Sequence, residues 1–174
     1  MIDPDKALAF AALAHSGQKR RYTADPYIVH PEAVACIVAS VDHTPEMLAA
    51  AYLHDVVEDT TVKIESVREF FGPEVADLVW WLSDPELDGN RAIRKAFIRT
   101  RWMRAPRAAK TIKMADIIHN STSIFEHDPK FAPVYAGEAW QLLDAIRDGS
   151  QVLLGQARHQ IREFRASLVL TKAA

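Results

Sequence analysis

The chain has 174 residues, of which 49% are hydrophobic and 25% charged, and its formal net charge is −2 at pH 7. This balance is typical of an ordinary globular protein and excludes a disordered or fibrous chain. Cys36 is the only cysteine, which excludes intramolecular disulfides and cysteine-rich metal sites, so any metal must use His, Asp or Glu.

The N-terminal segment MIDPDKALAF lacks the basic start and the uninterrupted apolar stretch of a signal peptide. No later segment approaches the roughly 20 apolar residues that a membrane helix needs. We therefore expect a cytoplasmic protein without membrane contact. Its length suits one compact domain spanning residues 1–174, because single cores commonly serve chains of about 100 to 200 residues.

Helix-start residues, prolines and glycines divide the first half of the chain into predicted helices. Asp3 with Pro4 has the N-cap and N1 pattern, and Gly17 provides a stop. Equivalent signals bound the other helices of this half, and the predicted set is 4–16, 31–40, 44–59, 64–71 and 73–83.

The turn-rich stretch DPELDGN separates these helices from the second half of the chain. Two helices are predicted within 91–125, broken near Ala105-Pro106, and two more at about 132–147 and 150–168, separated by Asp148-Gly149. Alternating β-branched runs are scarce. The predicted fold is therefore all-α, a single domain of about eight to ten helices.

Basic residues are concentrated between positions 91 and 113. This segment holds nine of them and no acidic residue: Arg91, Arg94, Lys95, Arg99, Arg101, Arg104, Arg107, Lys110 and Lys113. Since the whole chain sums to −2, the remainder carries −11. Such asymmetry indicates an anionic ligand, and the alternative is a solvated helix face.

The predicted third helix is apolar nearly all round, yet it carries His54, Asp55, Glu58 and Asp59 within the motif HDVVED. On a continuous helix His54 lies over Glu58 and Asp55 over Asp59. Burying unpaired carboxylates costs several kcal/mol each, and a divalent cation commonly offsets that cost. The motif thus favours a metal site, and the alternative is a solvated helix end with His54 in the core.

Two further polar residues occupy positions that a metal site would explain. His30 directly precedes a proline at a predicted helix start, so its imidazole is free to project. Asp116 lies inside the apolar segment IKMADII, where an uncompensated carboxylate is not expected. Taken singly, His30 could be an ordinary residue at a helix start, and Asp116 could pair with Lys113 or His119.

Together these two residues and the HD pair would form a ligand set of two histidines and two aspartates. Mixed nitrogen and oxygen ligands suit manganese, iron or zinc better than calcium or magnesium. Four protein ligands leave about two positions of an octahedral complex for a water and a substrate oxygen. A purely structural metal site would tend to be closed.

Five segments resemble motifs of one known family. They are HSGQKRR from His15, PYIVHP from Pro26, HDVVEDT from His54, FG at Phe71 and AKTIKMADIIHN from Ala109. Their order and approximate spacing are similar to those of the hydrolase domain of RelA/SpoT proteins, in particular its stand-alone form, the small alarmone hydrolases. The resemblance covers about two thirds of the chain.

The resemblance implies an all-α domain that removes the 3′-pyrophosphate from ppGpp and pppGpp. Glu58 and Asp59 would orient and activate the attacking water. The implied ligands of one manganese ion are His30, His54, Asp55 and Asp116. No synthetase domain follows in this sequence, so we expect hydrolysis without synthesis.

The resemblance also implies substrate contacts. Arg20 and Arg21 occupy the position that flanks the base, where a guanidinium can stack on a purine. Lys113 and Asn120 fit positions near the ribose and phosphates. The remaining implied contacts, for which a surface or core role is the alternative, are Tyr135 closing the nucleotide pocket and Arg91 facing the phosphates.

The chain departs from the family pattern at two of these places. Ile117 follows the motif aspartate, where the family usually has a basic residue, and arginine replaces the family's lysine at Arg21. Neither residue belongs to the predicted metal ligands. Both departures leave the exact substrate open.

Two other functions fit the same residues. One is hydrolysis of another nucleotide or dinucleotide phosphate at the same metal, and the other is a regulatory module that binds a nucleotide without turnover. Nucleic-acid binding fits poorly with the overall charge of −2 and lacks a recognition motif. The expected partner is a small-molecule nucleotide, and exposed tryptophans could support a homodimer.

Overall fold

The computed structural model describes residues 2–173, with side chains over residues 2–170. Over this range the backbone forms nine α-helices and one isolated β-bridge, between Lys19 and Pro26. The helices are α1 (Pro4–Ala14), α2 (Val29–Ala39), α3 (Pro45–Leu53), α4 (Val56–Asp59), α5 (Ile64–Leu82), α6 (Arg91–Met103), α7 (Arg107–His127), α8 (Ala132–Ala145) and α9 (Gln151–Ala173). The all-α prediction is confirmed.

Short polar side chains begin several of these helices. Thr44 accepts a hydrogen bond from the Met47 amide at 3.3 Å, and Asn90 accepts one from the Ile93 amide at 3.1 Å. Asp3 caps α1 in the same way. Each cap satisfies a backbone amide that has no partner within the helix, which explains why the sequence signals located these starts.

The predicted break between residues 71 and 73 occurs as a bend within α5. Gly72 has φ 81° and ψ 170°, a conformation that is essentially restricted to glycine. Pro73 follows and opens the second part of the helix. Buried apolar residues lie on both sides of the bend, for example Val67 before it and Val75 after it.

Several predicted helix bounds were wrong; the last helix, for example, runs to Ala173 and not to about residue 168. The predicted helix 44–59 ends at Leu53, and a turn at His54 and Asp55 separates it from α4, since Asp55 departs from helical geometry with φ −99° and ψ −6°. Helix α2 begins at Val29 and not at Pro31, because proline in the first turn meets no preceding helical carbonyl. His30 therefore lies inside the first turn of α2.

Helix α7 lies at the centre of the packing and contacts α2, α3, α5, α8 and α9. Its side chains are buried along most of its first four turns, and the alanines of α3 are also fully buried. Because α2, α3 and α7 contact one another, the polar residues on them meet inside the core. None of the helices described between residues 2 and 173 is long and apolar enough to cross a membrane.

Candidate metal centre and adjoining pocket

His30 from α2, His54 from the end of α3 and Asp116 from α7 converge. One ligand atom from each lies within 4.8 Å of the other two. The Nε2 atom of His30 is 3.2 Å from Nε2 of His54 and 3.2 Å from Oδ1 of Asp116. All three side chains are almost completely buried, so the cluster is a group of polar side chains inside the hydrophobic core.

Asp55 completes the cluster from the turn that follows α3. Its Oδ2 atom lies 3.0 Å from Nε2 of His54 and 3.5 Å from Nε2 of His30. The Asp55 side chain is 18% exposed, against 7% for Asp116, so Asp55 marks the more open side of the cluster. The structure thus brings together the four residues that the sequence indicated as metal ligands.

Both carboxyl groups of the cluster are held in the charged form. Burial opposes ionisation of Asp55, but the neighbouring His54 outweighs it and keeps the pKa of this carboxyl well below its ordinary value. Burial likewise opposes ionisation of Asp116, whose pKa is lowered by Lys113, 2.8 Å from Oδ2. The two carboxylates in turn overcome burial at His54 and raise its pKa to about 9. The cluster therefore attracts positive charge.

The orientation of His54 fits a bound cation. Its Nδ1 atom is 2.8 Å from the backbone oxygen of Ala51, and a carbonyl can only accept, so Nδ1 donates. In the neutral ring the lone pair is then on Nε2, which faces His30 and Asp55. Metal-binding histidines usually donate a hydrogen bond of this kind from the ring nitrogen that does not bind the metal. The set of two imidazole nitrogens and two carboxylates fits a divalent transition metal.

The two acidic residues that follow the HD pair lie in different surroundings. Asp59 shares the Tyr27 hydroxyl with Asp55, at 3.0 Å and 2.7 Å respectively. Glu58 instead accepts a hydrogen bond from the Asp84 amide at 2.9 Å. Partial desolvation raises the pKa of the Glu58 carboxyl despite its access to solvent. The sequence predicted one continuous helix in which Glu58 and Asp59 stack on His54 and Asp55. The turn after α3 interrupts that helix, so this prediction of stacking was wrong.

A cavity of about 270 Å³ adjoins the cluster at Asp116. Helix α6 contributes one basic face to its wall, since Arg91, Lys95 and Arg99 recur every four residues, and Lys113 of α7 is a fourth basic lining residue. Part of the basic segment thus faces a cavity and not only solvent. The apolar wall of the cavity is formed by Ile98, Ile117, Ile124, Phe131, Tyr135, Ala139 and Leu142.

The predicted substrate residues on α7 and α8 line this cavity. Lys113 and Asn120 both hold Asp116, through Oδ2 at 2.8 Å and Oδ1 at 2.6 Å. The Tyr135 hydroxyl donates to the backbone oxygen of Ile117 at 3.3 Å, so its ring is fixed against α7. Lys113 and Asn120 therefore connect the cavity to the cluster.

The three predicted arginines are placed differently. Arg91 lines the cavity, lies over the Phe131 ring and forms a two-pronged ion pair with Glu138 at 2.6 and 2.8 Å. Arg20 reaches the cluster side, 3.3 Å from Oδ1 of Asn120. Arg21 is not among the residues that line the cavity, and its guanidinium lies over the Tyr22 ring, 5.4 Å from its centre.

Two residues beside the cluster were not among the predicted site residues, and His119 had been considered only as an alternative partner of Asp116. Tyr27 precedes His30 by three residues within PYIVHP, and this spacing was the signal that could have placed it beside the cluster. His119 follows Asp116 by the same interval, and its Nδ1 atom is 2.7 Å from Nδ1 of His30. Burial and the nearby positive charges of His30 and Arg20 lower the pKa of His119 to about 4.

Comparison with known proteins agrees with this geometry. A family model described as HD domain matches residues 7–87. A Synechocystis protein named probable guanosine-3′,5′-bis(diphosphate) 3′-pyrophosphohydrolase is 34% identical over 130 residues, which cover 72% of this chain and 17% of that protein. The bifunctional (p)ppGpp synthase/hydrolase SpoT of Escherichia coli is 47% identical over 74 residues, or 42% of this chain and 10% of SpoT.

A solved structure, described as a metazoan ortholog of SpoT that hydrolyses ppGpp, superposes with a TM-score of 0.84 at 28% identity. The match covers 92% of this chain and 94% of that one. The chain carries an HD domain homologous to those of SpoT/RelA proteins.

The match to the HD model ends before the cavity-lining helices begin. Three of the cluster residues lie inside the matched range 7–87, whereas Asp116 and helices α6 to α8 lie beyond it. The structural match to the metazoan protein extends over most of both chains. The aligned regions span only 17% and 10% of the two curated relatives, so those names describe much longer proteins.

Proposed function

We propose that this HD domain hydrolyses the 3′-pyrophosphate of ppGpp and pppGpp with one bound Mn²⁺. The observation that carries the proposal is the convergence of two histidines and two carboxylates beside a cavity with a basic face. The Synechocystis relative, which is named for this reaction, and the metazoan structural neighbour, which is described as hydrolysing ppGpp, support the choice of substrate.

The proposed ligands of the cation are His30, His54, Asp55 and Asp116. When bound, a divalent cation supplies Lewis-acid polarisation of the phosphate and makes water easier to deprotonate. The mixed nitrogen and oxygen donors support Mn²⁺ over Mg²⁺ or Ca²⁺. Lys113 and Asn120 keep the Asp116 carboxylate in a fixed orientation toward His30.

Glu58 and Asp59 would position the water and take up its proton. Asp59 is tied beside Asp55 through Tyr27, so it lies at the open side of the cluster. Partial burial raises the pKa of the Glu58 carboxyl, which makes this carboxylate a better proton acceptor than a fully solvated glutamate. Its bond from the Asp84 amide fixes one carboxylate oxygen and leaves the other free.

The cavity would hold the nucleotide. ppGpp carries two diphosphates, and the four basic lining residues provide charge for whichever diphosphate is not being cleaved. The apolar wall offers Phe131 and Tyr135 to the sugar and base. Arg20, beside Asn120, is placed to reach the same nucleotide, and Arg21 is proposed to flank the base from the same loop.

The test is pyrophosphate and phosphate release from ppGpp, GTP, GDP and NADPH by metal-stripped protein, before and after addition of Mn²⁺. We expect Mn²⁺-dependent pyrophosphate release from ppGpp, abolished by Asp55→Ala. Asp144→Ala is the matched control, because Asp144 pairs with Arg158 on the surface and lies outside the site. Turnover of another nucleotide alone would refute the substrate, and Mn²⁺ binding without any turnover would indicate a binding module.

A further inference from the structure

His119 touches the proposed metal centre without belonging to its ligand set. Its Nδ1 atom lies 2.7 Å from Nδ1 of His30, and the two ring centres are 4.9 Å apart. One helical turn separates His119 from Asp116, so α7 supplies one ligand and also holds the ligand that α2 contributes.

The short distance between the two Nδ1 atoms requires one shared proton, and its location decides what His30 can do. If His30 donates, the lone pair of its neutral ring is on Nε2, which faces His54 and Asp116 at 3.2 Å. If His119 donates, a neutral His30 carries its proton on Nε2. A protonated Nε2 cannot coordinate a cation.

We propose that His119 is a positioning residue that accepts the Nδ1 proton of His30 and thereby fixes His30 in the tautomer and ring orientation that bind the metal. This inference rests on the metal site proposed above. The Ala51 carbonyl makes the corresponding contact to His54. The two histidine ligands are thus oriented by different means, one by a backbone oxygen and the other by a replaceable side chain.

If His119 had only a structural role, it would link α2 to α7, which pack against each other. Loss of such a link would lower the stability of the metal-free protein. Loss of an acceptor for His30 lowers metal affinity beyond any change in stability. The two roles therefore predict different measurements.

His119→Asn and His119→Leu form a matched pair, because both side chains branch at Cγ and have similar size. The Oδ1 atom of asparagine can accept a hydrogen bond where histidine has Nδ1, whereas leucine offers a methyl group. We expect Mn²⁺ affinity of the metal-stripped full chain, measured by calorimetry, to fall about 10- to 100-fold in His119→Leu. We expect His119→Asn to retain most of the Mn²⁺ affinity. The control is His127→Leu, near the end of the same helix, which should leave the Mn²⁺ affinity unchanged.

Equal affinity of the His119→Leu variant and the unmodified chain would overturn the inference, as would equal losses in the two variants or absence of Mn²⁺ binding by the unmodified chain. Turnover of ppGpp is scored separately. An unmodified chain that binds Mn²⁺ and shows the expected difference between variants, yet releases no pyrophosphate from ppGpp, would refute the proposed reaction and leave the positioning role intact.

A second measurement needs no variant and so does not depend on variant folding. Nitrogen-15 spectra of the histidine rings, recorded with Zn²⁺ as a diamagnetic probe, report which ring nitrogen carries the proton. We expect a protonated Nδ1 on His30 and an unprotonated Nδ1 on His119. The reverse assignment would contradict the proposal.

Discussion

The Tyr27 hydroxyl lies 2.7 Å from Oδ2 of Asp55, a proposed metal ligand, and 3.0 Å from Oδ2 of Asp59, a carboxylate proposed to accept the proton of the water. Burial and the charge of Asp55 raise the pKa of the Tyr27 hydroxyl, so it keeps its single hydrogen. That hydrogen must serve two carboxylates. Tyr27 therefore couples the position of the Asp59 carboxylate to that of Asp55.

Tyr27→Phe removes this coupling and leaves the ring in place. A hydrogen bond to a charged group contributes about 1.5 to 3 kcal/mol, so we expect kcat/KM for ppGpp to fall about tenfold or more. The decrease should be in kcat, since Tyr27 does not line the cavity. Steady-state kinetics with saturating Mn²⁺ measure it. Tyr52→Phe makes the same chemical change away from the cluster, and an equal decrease there would refute the role of Tyr27.

The ion pair between Arg91 and Glu138 places a negative charge on the wall of the cavity. An anionic substrate must approach Arg91 while Glu138 occupies its guanidinium. Glu138→Gln removes the competing charge, so we expect KM for ppGpp to fall by about two- to fivefold, in line with exposed ion pairs of roughly 0.2 to 1 kcal/mol. The change should weaken at high salt.

The control for Glu138→Gln is Asp144→Asn, which neutralises the acidic partner of a second surface pair, Arg158 with Asp144. This pair lies outside the cavity lining, so KM should not change. A KM that rises in Glu138→Gln would show that Glu138 orients Arg91 productively and does not compete with the substrate.

Most of the helices, and the four residues that cluster at the proposed metal site, were predictable from the sequence. Caps such as Thr44 and Asn90 are local signals, because the residue that caps and the amide that it satisfies are three positions apart. His54 and Asp116 stood out since polar groups in apolar helices need partners. Residues whose chemistry conflicts with an apolar surrounding segment can therefore be recognised from the sequence.

The features that the sequence did not reveal depend on tertiary packing. The turn at Asp55 contains no glycine or proline that would have predicted it. It changes the direction of the chain before Glu58 and Asp59. The contact between His30 and His119 joins residues 89 positions apart, which no local spacing encodes. Similarly, the four-residue spacing of Arg91, Lys95 and Arg99 gives a helix face, but only the packing of α6 turns this face toward the cavity.

Gly72 bends α5 with a backbone conformation that other residues avoid. A Cβ atom there would meet nothing within 4 Å, so the cost of Gly72→Ala arises from the backbone alone. We expect the free energy of unfolding, measured in urea, to decrease by about 1 to 3 kcal/mol.

Gly155→Ala is the matched comparison, since a Cβ atom there is also unobstructed but the glycine lies within helix α9. Alanine in a helix interior is more favourable than glycine by roughly 0.5 to 1 kcal/mol, so this variant should gain stability. Equal effects of the two substitutions would show that the conformation of Gly72 is not the cause.

The metal itself should stabilise the fold, because its proposed ligands come from α2, α3, α7 and the turn after α3, which separate on unfolding. A ligand that binds only the folded chain at 100 times its Kd adds about 2.7 kcal/mol to the free energy of unfolding. For a chain of this size that corresponds to a rise in Tm of about 5 to 10 °C.

Thermal unfolding of metal-stripped protein, with and without Mn²⁺, measures this rise in Tm, and a chelator should reverse it. Asp116→Asn should abolish the shift, whereas Asp77→Asn, at a surface pair with Arg68, should retain it. A shift that persists in Asp116→Asn would place the cation elsewhere.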